Sequence, residues 1–120
     1  LAQAASNQAN DIGTDINVAN LNYGYKIKPK TSPTPVWTPK EAFDDGAKTY
    51  IEFPENLGSM EAPPFFIRGK TGHDERVNYR VKGRFYIVDR LFQEGELRIG
   101  DYKHQEVVRI KATTPAVIGE

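Results

Sequence analysis

The sequence predicts an all-β domain, an antiparallel β-sandwich of about seven to nine short strands. Three observations point there. Apolar and polar residues alternate with a period of two, as in Tyr23, Tyr25 and Ile27 against Gly24, Lys26 and Lys28. Such stretches recur at intervals of roughly 8 to 15 residues. Gly and Pro punctuate them, 10 and 8 in a chain of 120.

Along the chain, residues 1–20 are rich in Ala, Asn and Gln, with Leu1, Ile12, Ile16 and Val18 as the large apolar residues. Ile12 and Ile16 stand four apart, which permits a helical turn, but the composition favours a flexible linker. It carries no Met and no signal-peptide pattern, so it is read as joining a missing N-terminal domain to the folded part. The domain is expected over 21–112 and a frayed tail over 113–120.

After the strand from Tyr23 comes "KPKTSPTPVWTP", with prolines at 29, 33, 35 and 39. Each removes a donor and fixes φ, so this is an extended connector, anchored on the core by Trp37. Thr38 and Glu41 have capping-box spacing with Pro39 at the first helical position, so at most one short helical turn is expected near 39–44. Asp45-Gly46 ends it. "KTYIEF" follows as a strand: Thr49, Ile51 and Phe53 on one face, Lys48, Tyr50 and Glu52 on the other. "NLGSMEAPP" is a loop, Phe65-Phe66-Ile67 a short strand, and "GKTGHDE" a turn. Leu97 and Ile99, then Val107, Val108 and Ile110, mark the last strands.

Between them lies a hairpin, "VNYRVKGRFYIVD". With Lys82-Gly83 as a two-residue loop, Val81 opposes Arg84, Tyr79 opposes Tyr86 and Val77 opposes Val88. One face then collects Val77, Tyr79, Val81, Tyr86 and Val88. The other collects Asn78, Arg80, Phe85 and Ile87. Burying Phe85 and Ile87 is worth about 1.5–3 kcal/mol each, so that face too needs a cover. The Trp37 connector and a partner are both candidates.

Lys+Arg and Asp+Glu number 16 each. A neutral chain lacks the field by which basic domains gather nucleic acid or anionic membrane, although local patches remain open. There is no Cys, hence no disulfide, thiolate metal site or Cys nucleophile. No apolar run is long enough to span a membrane. His73 and His104 read as exposed turn residues. "DDG" at 44–46 lacks the alternating ligands of a calcium loop. Asp89 with Glu94 or Glu96 has no spacing that marks a catalytic pair. No nucleophile-elbow or phosphate-loop motif is present. The residues themselves thus offer little for catalysis.

The string "FDDGAKTYIEFP" (Phe43 to Pro54), followed by "VNYRVKGRFYIVDRLFQEGELRIG" (Val77 to Gly100), resembles the C-terminal domain of the TrbG/CagX family of conjugative-transfer and type IV secretion proteins. "NYGYKI", "VWTP", Pro63-Pro64 and "VVRI" add to the resemblance, which covers roughly Leu21 to Ile110. It implies a β-sandwich in the periplasm of a Gram-negative bacterium, associated with the outer membrane. There the domain would be a structural assembly module of the secretion system's ring-shaped outer-membrane core complex. The resemblance also implies that the protein is not an enzyme and carries no cofactor. Implied partners are a small outer-membrane lipoprotein, the C-terminal domain of the TonB-like scaffold subunit, and further copies in the ring. Candidate partner contacts are Trp37, Tyr50, Arg80, Phe85 and Ile87, each with ordinary packing as its alternative. A carbohydrate-binding sandwich using Trp37 and tyrosines as stacking platforms is the second reading. A small hydrolase, needing two facing carboxylates, is the third.

Overall fold

The computed structural model describes residues 21–54, 62–69, 72–101 and 103–113. The expected linker over 1–20, most of the loop over 55–61, part of the turn at 70–71 and the tail beyond 113 lie outside them. The described residues form nine strands in two antiparallel sheets. They are β1 (Tyr25–Pro29), β2 (Glu41–Asp44), β3 (Thr49–Glu52), β4 (Phe65–Arg68), β5 (Asp74–Arg76), β6 (Tyr79–Lys82), β7 (Phe85–Val88), β8 (Glu94–Ile99) and β9 (Glu106–Ala112). One sheet runs β1-β9-β8-β4-β5 and the other β2-β3-β7-β6. The all-β sandwich expected from the sequence is what forms.

The larger core lies between the sheets. It takes Ile51, Phe53, Tyr86 and Val88 from one, and Phe65, Ile67, Leu97, Val108 and Ile110 from the other. Trp37 joins it, and its indole N–H donates to Glu106 at 2.9 Å. The proline-rich connector is thus pinned by its Trp, as expected. Tyr86, also buried, donates its hydroxyl to the Pro63 carbonyl at 2.8 Å, which gives the phenol a polar partner inside the core.

Two local expectations are corrected. Residues 41–44 are not a helical turn but β2, paired with β3 from Glu41↔Glu52 to Asp44↔Thr49. Thr38 does not cap a helix either; its hydroxyl and amide both donate to the Pro35 carbonyl. A four-residue segment gains little from a cap when a ladder of hydrogen bonds and the burial of Ala42 and Phe43 are on offer.

The hairpin loop is the second. Lys82 faces Phe85 and Val81 faces Tyr86, so the loop is Gly83-Arg84, not Lys82-Gly83. Gly83 has φ of 60° and no other residue type among the described residues has positive φ. That is the pattern of a type II′ turn, with Gly at the first central position; a loop starting at Lys82 would force a lysine into the left-handed region. Moving the loop by one residue moves each pairing by two. The two faces of the hairpin therefore keep the residues expected of them, except that Arg84 leaves the core side and brings its Nε to 3.2 Å from Glu52.

Gly95 is a glycine inside a strand with a packing reason. A Cβ there would press into the Phe65 ring, 2.6 Å from one of its edge carbons, and lie 3.2 Å from Phe92. Both rings are buried, so neither has room to swing away. Gly95→Val should lower the unfolding free energy by about 1–3 kcal/mol through overpacking, read as a lower urea midpoint with an unchanged m-value.

Candidate interaction surfaces

Strand parity divides the four-stranded sheet. Ala42, Ile51, Tyr86 and Val81 form one row of the inner face. On the outer face, Phe43, Tyr50, Ile87 and Arg80 stand in one row and Glu41, Glu52, Phe85 and Lys82 in the next. The middle of this outer face is not wet. Phe43, Tyr50, Phe85 and Ile87 form a second buried cluster, with Leu21 packed against it. Phe43 stacks on Tyr50 at 5.3 Å, meets Phe85 edge-on at 6.4 Å, and carries the Tyr23 ring at 5.0 Å. The Tyr50 hydroxyl donates to Asp45 at 3.2 Å, and Asp45 also accepts from the Ala47 and Lys48 amides. The "DDG" turn thus uses its carboxylates to shape the β2–β3 connection.

Of the sequence-derived candidates, Tyr50, Phe85 and Ile87 come together in this cluster, each buried. Arg80 stands in the row of Tyr50 and Ile87 but at the sheet's edge, exposed, 3.7 Å from Asp89. Trp37 is elsewhere, in the core between the sheets, so it does not cover Phe85 and Ile87. Phe43 was not singled out from the sequence. Its i, i+7 relation to Tyr50 carries no signal until the β2–β3 pairing is known.

The sheet edges differ in how open they are. On β1, Pro29 has no N–H and the Tyr25 amide donates to the Tyr23 carbonyl. On β2, Asp44 exchanges two backbone hydrogen bonds with Asn22, and its carboxylate accepts from the Asn22 amide at 3.0 Å and the Tyr25 hydroxyl at 2.6 Å. Burial, then that bond to Asp44, push the Tyr25 phenol well above its usual pKa. β5 is three charged residues, Asp74, Glu75 and Arg76, all exposed. Each is a recognised way of blunting an edge. β6 is different. The Asp89 amide donates to the Asn78 carbonyl, which fixes the phase of the ladder. Arg80 and Lys82 then turn their backbone groups toward β7, and Tyr79 and Val81 turn theirs outward. Val81 is 56% exposed.

The outer face of the five-stranded sheet is charged. Glu96, 3% exposed, accepts from Arg109 at 2.6 and 2.8 Å and from Arg98 at 2.7 Å. Arg68 lies 3.5 Å from Glu94 and 3.6 Å from Glu96, and Arg98 reaches Asp74 at 2.6 Å. Burial alone would raise the Glu96 pKa, but the hydrogen bonds from Arg109 and Arg98 hold it below the usual carboxylate range. Asp89, on the other sheet, is not paired with Glu94 or Glu96 but with Arg80. His73 and His104 are exposed, as expected. Among the described residues no helix is long and apolar enough to cross a membrane.

The profile of the CagX family, described as conjugal transfer protein, matches residues 2–113. The chain is also 32% identical over 91 residues to a probable conjugal transfer protein TrbG of Sinorhizobium fredii (strain NBRC 101917 / NGR234). That match takes in 76% of this chain but 32% of the relative, so the chain spans about a third of the relative's length.

Two outcomes follow from this geometry. Phe85→Ala should cost about 3–5 kcal/mol, whereas Arg80→Ala should stay within about 0.5 kcal/mol, both by urea unfolding. Glu96 is more acidic folded than unfolded, so its ionised form stabilises the fold above the unfolded pKa of about 4.3 and that contribution is lost as pH falls through the lower, folded value. Unfolding free energy measured from about pH 7 to about pH 2 should drop below about pH 4. Glu96→Gln should flatten part of that drop and cost about 1–3 kcal/mol at neutral pH.

Proposed function

Because the chain belongs to the CagX conjugal transfer family, we propose that it is a structural assembly module of a type IV secretion machine and is not an enzyme. It sits in the periplasm as part of the outer-membrane core complex. It binds a small lipoprotein and the C-terminal domain of the scaffold subunit, and it repeats around a ring. Family membership supports the role in conjugation or type IV secretion. The observation that carries the binding mode is the β6 edge, with the backbone groups of Tyr79 and Val81 turned outward and the Val81 side chain exposed.

An extended partner segment adds beside β6 as a further strand. Main-chain hydrogen bonds to Tyr79 and Val81 supply affinity, and alternate side chains supply specificity. Arg80 contacts the segment directly from the outer face. Phe85 and Ile87 stand one strand inward and Tyr50 two, buried, so they steady the edge through packing, and Trp37 does so from the core between the sheets. The carbohydrate reading loses two of its platforms: Trp37 and Tyr50 are buried, so neither ring offers a face on which a sugar could stack.

The edge itself supplies a test. The Val81 amide points away from β7, so Val81→Pro removes an outward donor and leaves the β6–β7 ladder intact. Titrated with the mature lipoprotein, the variant should keep its thermal midpoint and bind about tenfold more weakly. Unchanged affinity would rule out strand addition at β6.

A further inference from the structure

We propose that the groove on the outer side of β1 and β9 binds an extended acidic segment of a partner protein, with carboxylates at alternate residues. This surface is on the other sheet from the β6 edge, and the inference does not depend on the binding mode given there.

The groove has a volume of about 420 Å³ and is lined by Lys26, Lys28, Gln93, Lys111, Ala112 and Thr113. Its three lysines are exposed, and their ammonium groups form no hydrogen bond or ion pair among the described residues. The contrast with their neighbours is sharp. Lys28 pairs across the ladder with Arg109, and Arg109 is tied to Glu94 and Glu96. Arg68, Arg98 and Arg109 between them take up Asp74, Glu94 and Glu96. Glu94 stands opposite Lys111 across the β8–β9 ladder but forms its ion pairs with Arg68 and Arg109, so the three ammonium groups are left without an ion pair among the described residues. Lys26 also stands directly opposite Lys111. Like charges facing each other across an antiparallel pair are unfavourable, and an anion laid over them relieves that repulsion.

The spacing favours a peptide. Lys26 and Lys28 are two residues apart on one strand, a repeat of about 6.8 Å, and alternate carboxylates of an extended chain share it. The next strand lies about 4.8 Å away, which brings Lys111 within reach of the same row. The edge of β1 is blunted by Pro29 and by the Tyr25 amide's bond to Tyr23, so the segment lies on the sheet's face and is held by side chains. The lining has no exposed large apolar side chain to enter a bilayer, so a membrane surface fits less well.

The test uses the ¹⁵N-labelled chain, a synthetic peptide of about ten residues alternating Glu with Thr, and its Gln-for-Glu counterpart. Inorganic phosphate and phosphatidylglycerol vesicles are run in parallel. The acidic peptide should shift the amides of Lys26, Lys28 and Lys111, bind more weakly as salt rises, and outcompete its Gln counterpart. Combining Lys26→Gln, Lys28→Gln and Lys111→Gln should weaken binding about tenfold. The three matching Lys→Arg changes should keep it, which separates loss of charge from loss of fold. Equal binding by the Gln variant, no binding of the acidic peptide, or capture of vesicles or phosphate in its place would each overturn the proposal.

Discussion

The ladder between β3 and β7 is the interaction on which the rest of the molecule depends. Its rows, Tyr50↔Ile87 and Ile51↔Tyr86, send large side chains to both sides of one sheet. Ile51 and Tyr86 fill the space between the sheets, and Tyr50 and Ile87 form the outer cluster with Phe43 and Phe85. β3 and β7 are buried along their whole length on both faces and have a paired strand on each side; β2, whose Ala42 and Phe43 are also buried, is an edge that Asn22 closes. β3 and β7 take the middle, and β2 and β6 stand at the edges.

That placement hands each edge a different problem. β2 is closed by Asn22, whose backbone and side chain both hold Asp44, so the chain entering β1 also seals the sandwich along that side. β6 has no comparable closure among the described residues. The charged rows obey the same logic of central burial. Glu52 and Glu96 each stand on an outer face almost without exposure, and each has arginine partners: Arg84 from the hairpin turn for one, Arg98 of its own strand and Arg109 of the next for the other. A buried carboxylate is tolerable only with such partners. The network on the five-stranded sheet thereby fixes the register of β4, β8 and β9 as well as neutralising Glu96.

Period-two alternation made β1, β3, β4, β8 and β9 legible in the sequence, because each has an inner face that is apolar at alternate positions. β2 was not legible. Thr38, Pro39 and Glu41 carry helix-start chemistry, and four residues are too few for periodicity to outvote it; the pairing with β3 decides. The hairpin's faces were readable because Tyr79, Val81, Tyr86 and Val88 share a face in either loop position. The loop itself turned on which turn type Gly83 serves. The candidate site was half visible. Tyr50, Phe85 and Ile87 stood out as large apolar groups on faces that should be polar, and they do meet. Their companion Phe43 was hidden by the misread β2. Trp37 stood out for its isolation among prolines, which identifies an anchor without saying which core it enters. The Glu96 network was spelled out as alternating charges in β8 and β9, but charge alternation alone does not distinguish a solvated face from a buried carboxylate.

Amide hydrogen exchange on the chain alone tests this account most directly. If β3 and β7 are the doubly covered centre and β6 the open edge, the amides of Ile51, Tyr86 and Val88 belong to the slowest class, and those of Tyr79 and Val81 exchange near the rate of an unprotected peptide. Protection at Tyr79 and Val81 equal to that at Tyr86 would contradict it, because the edge assigned to the partner would already be occupied within the chain.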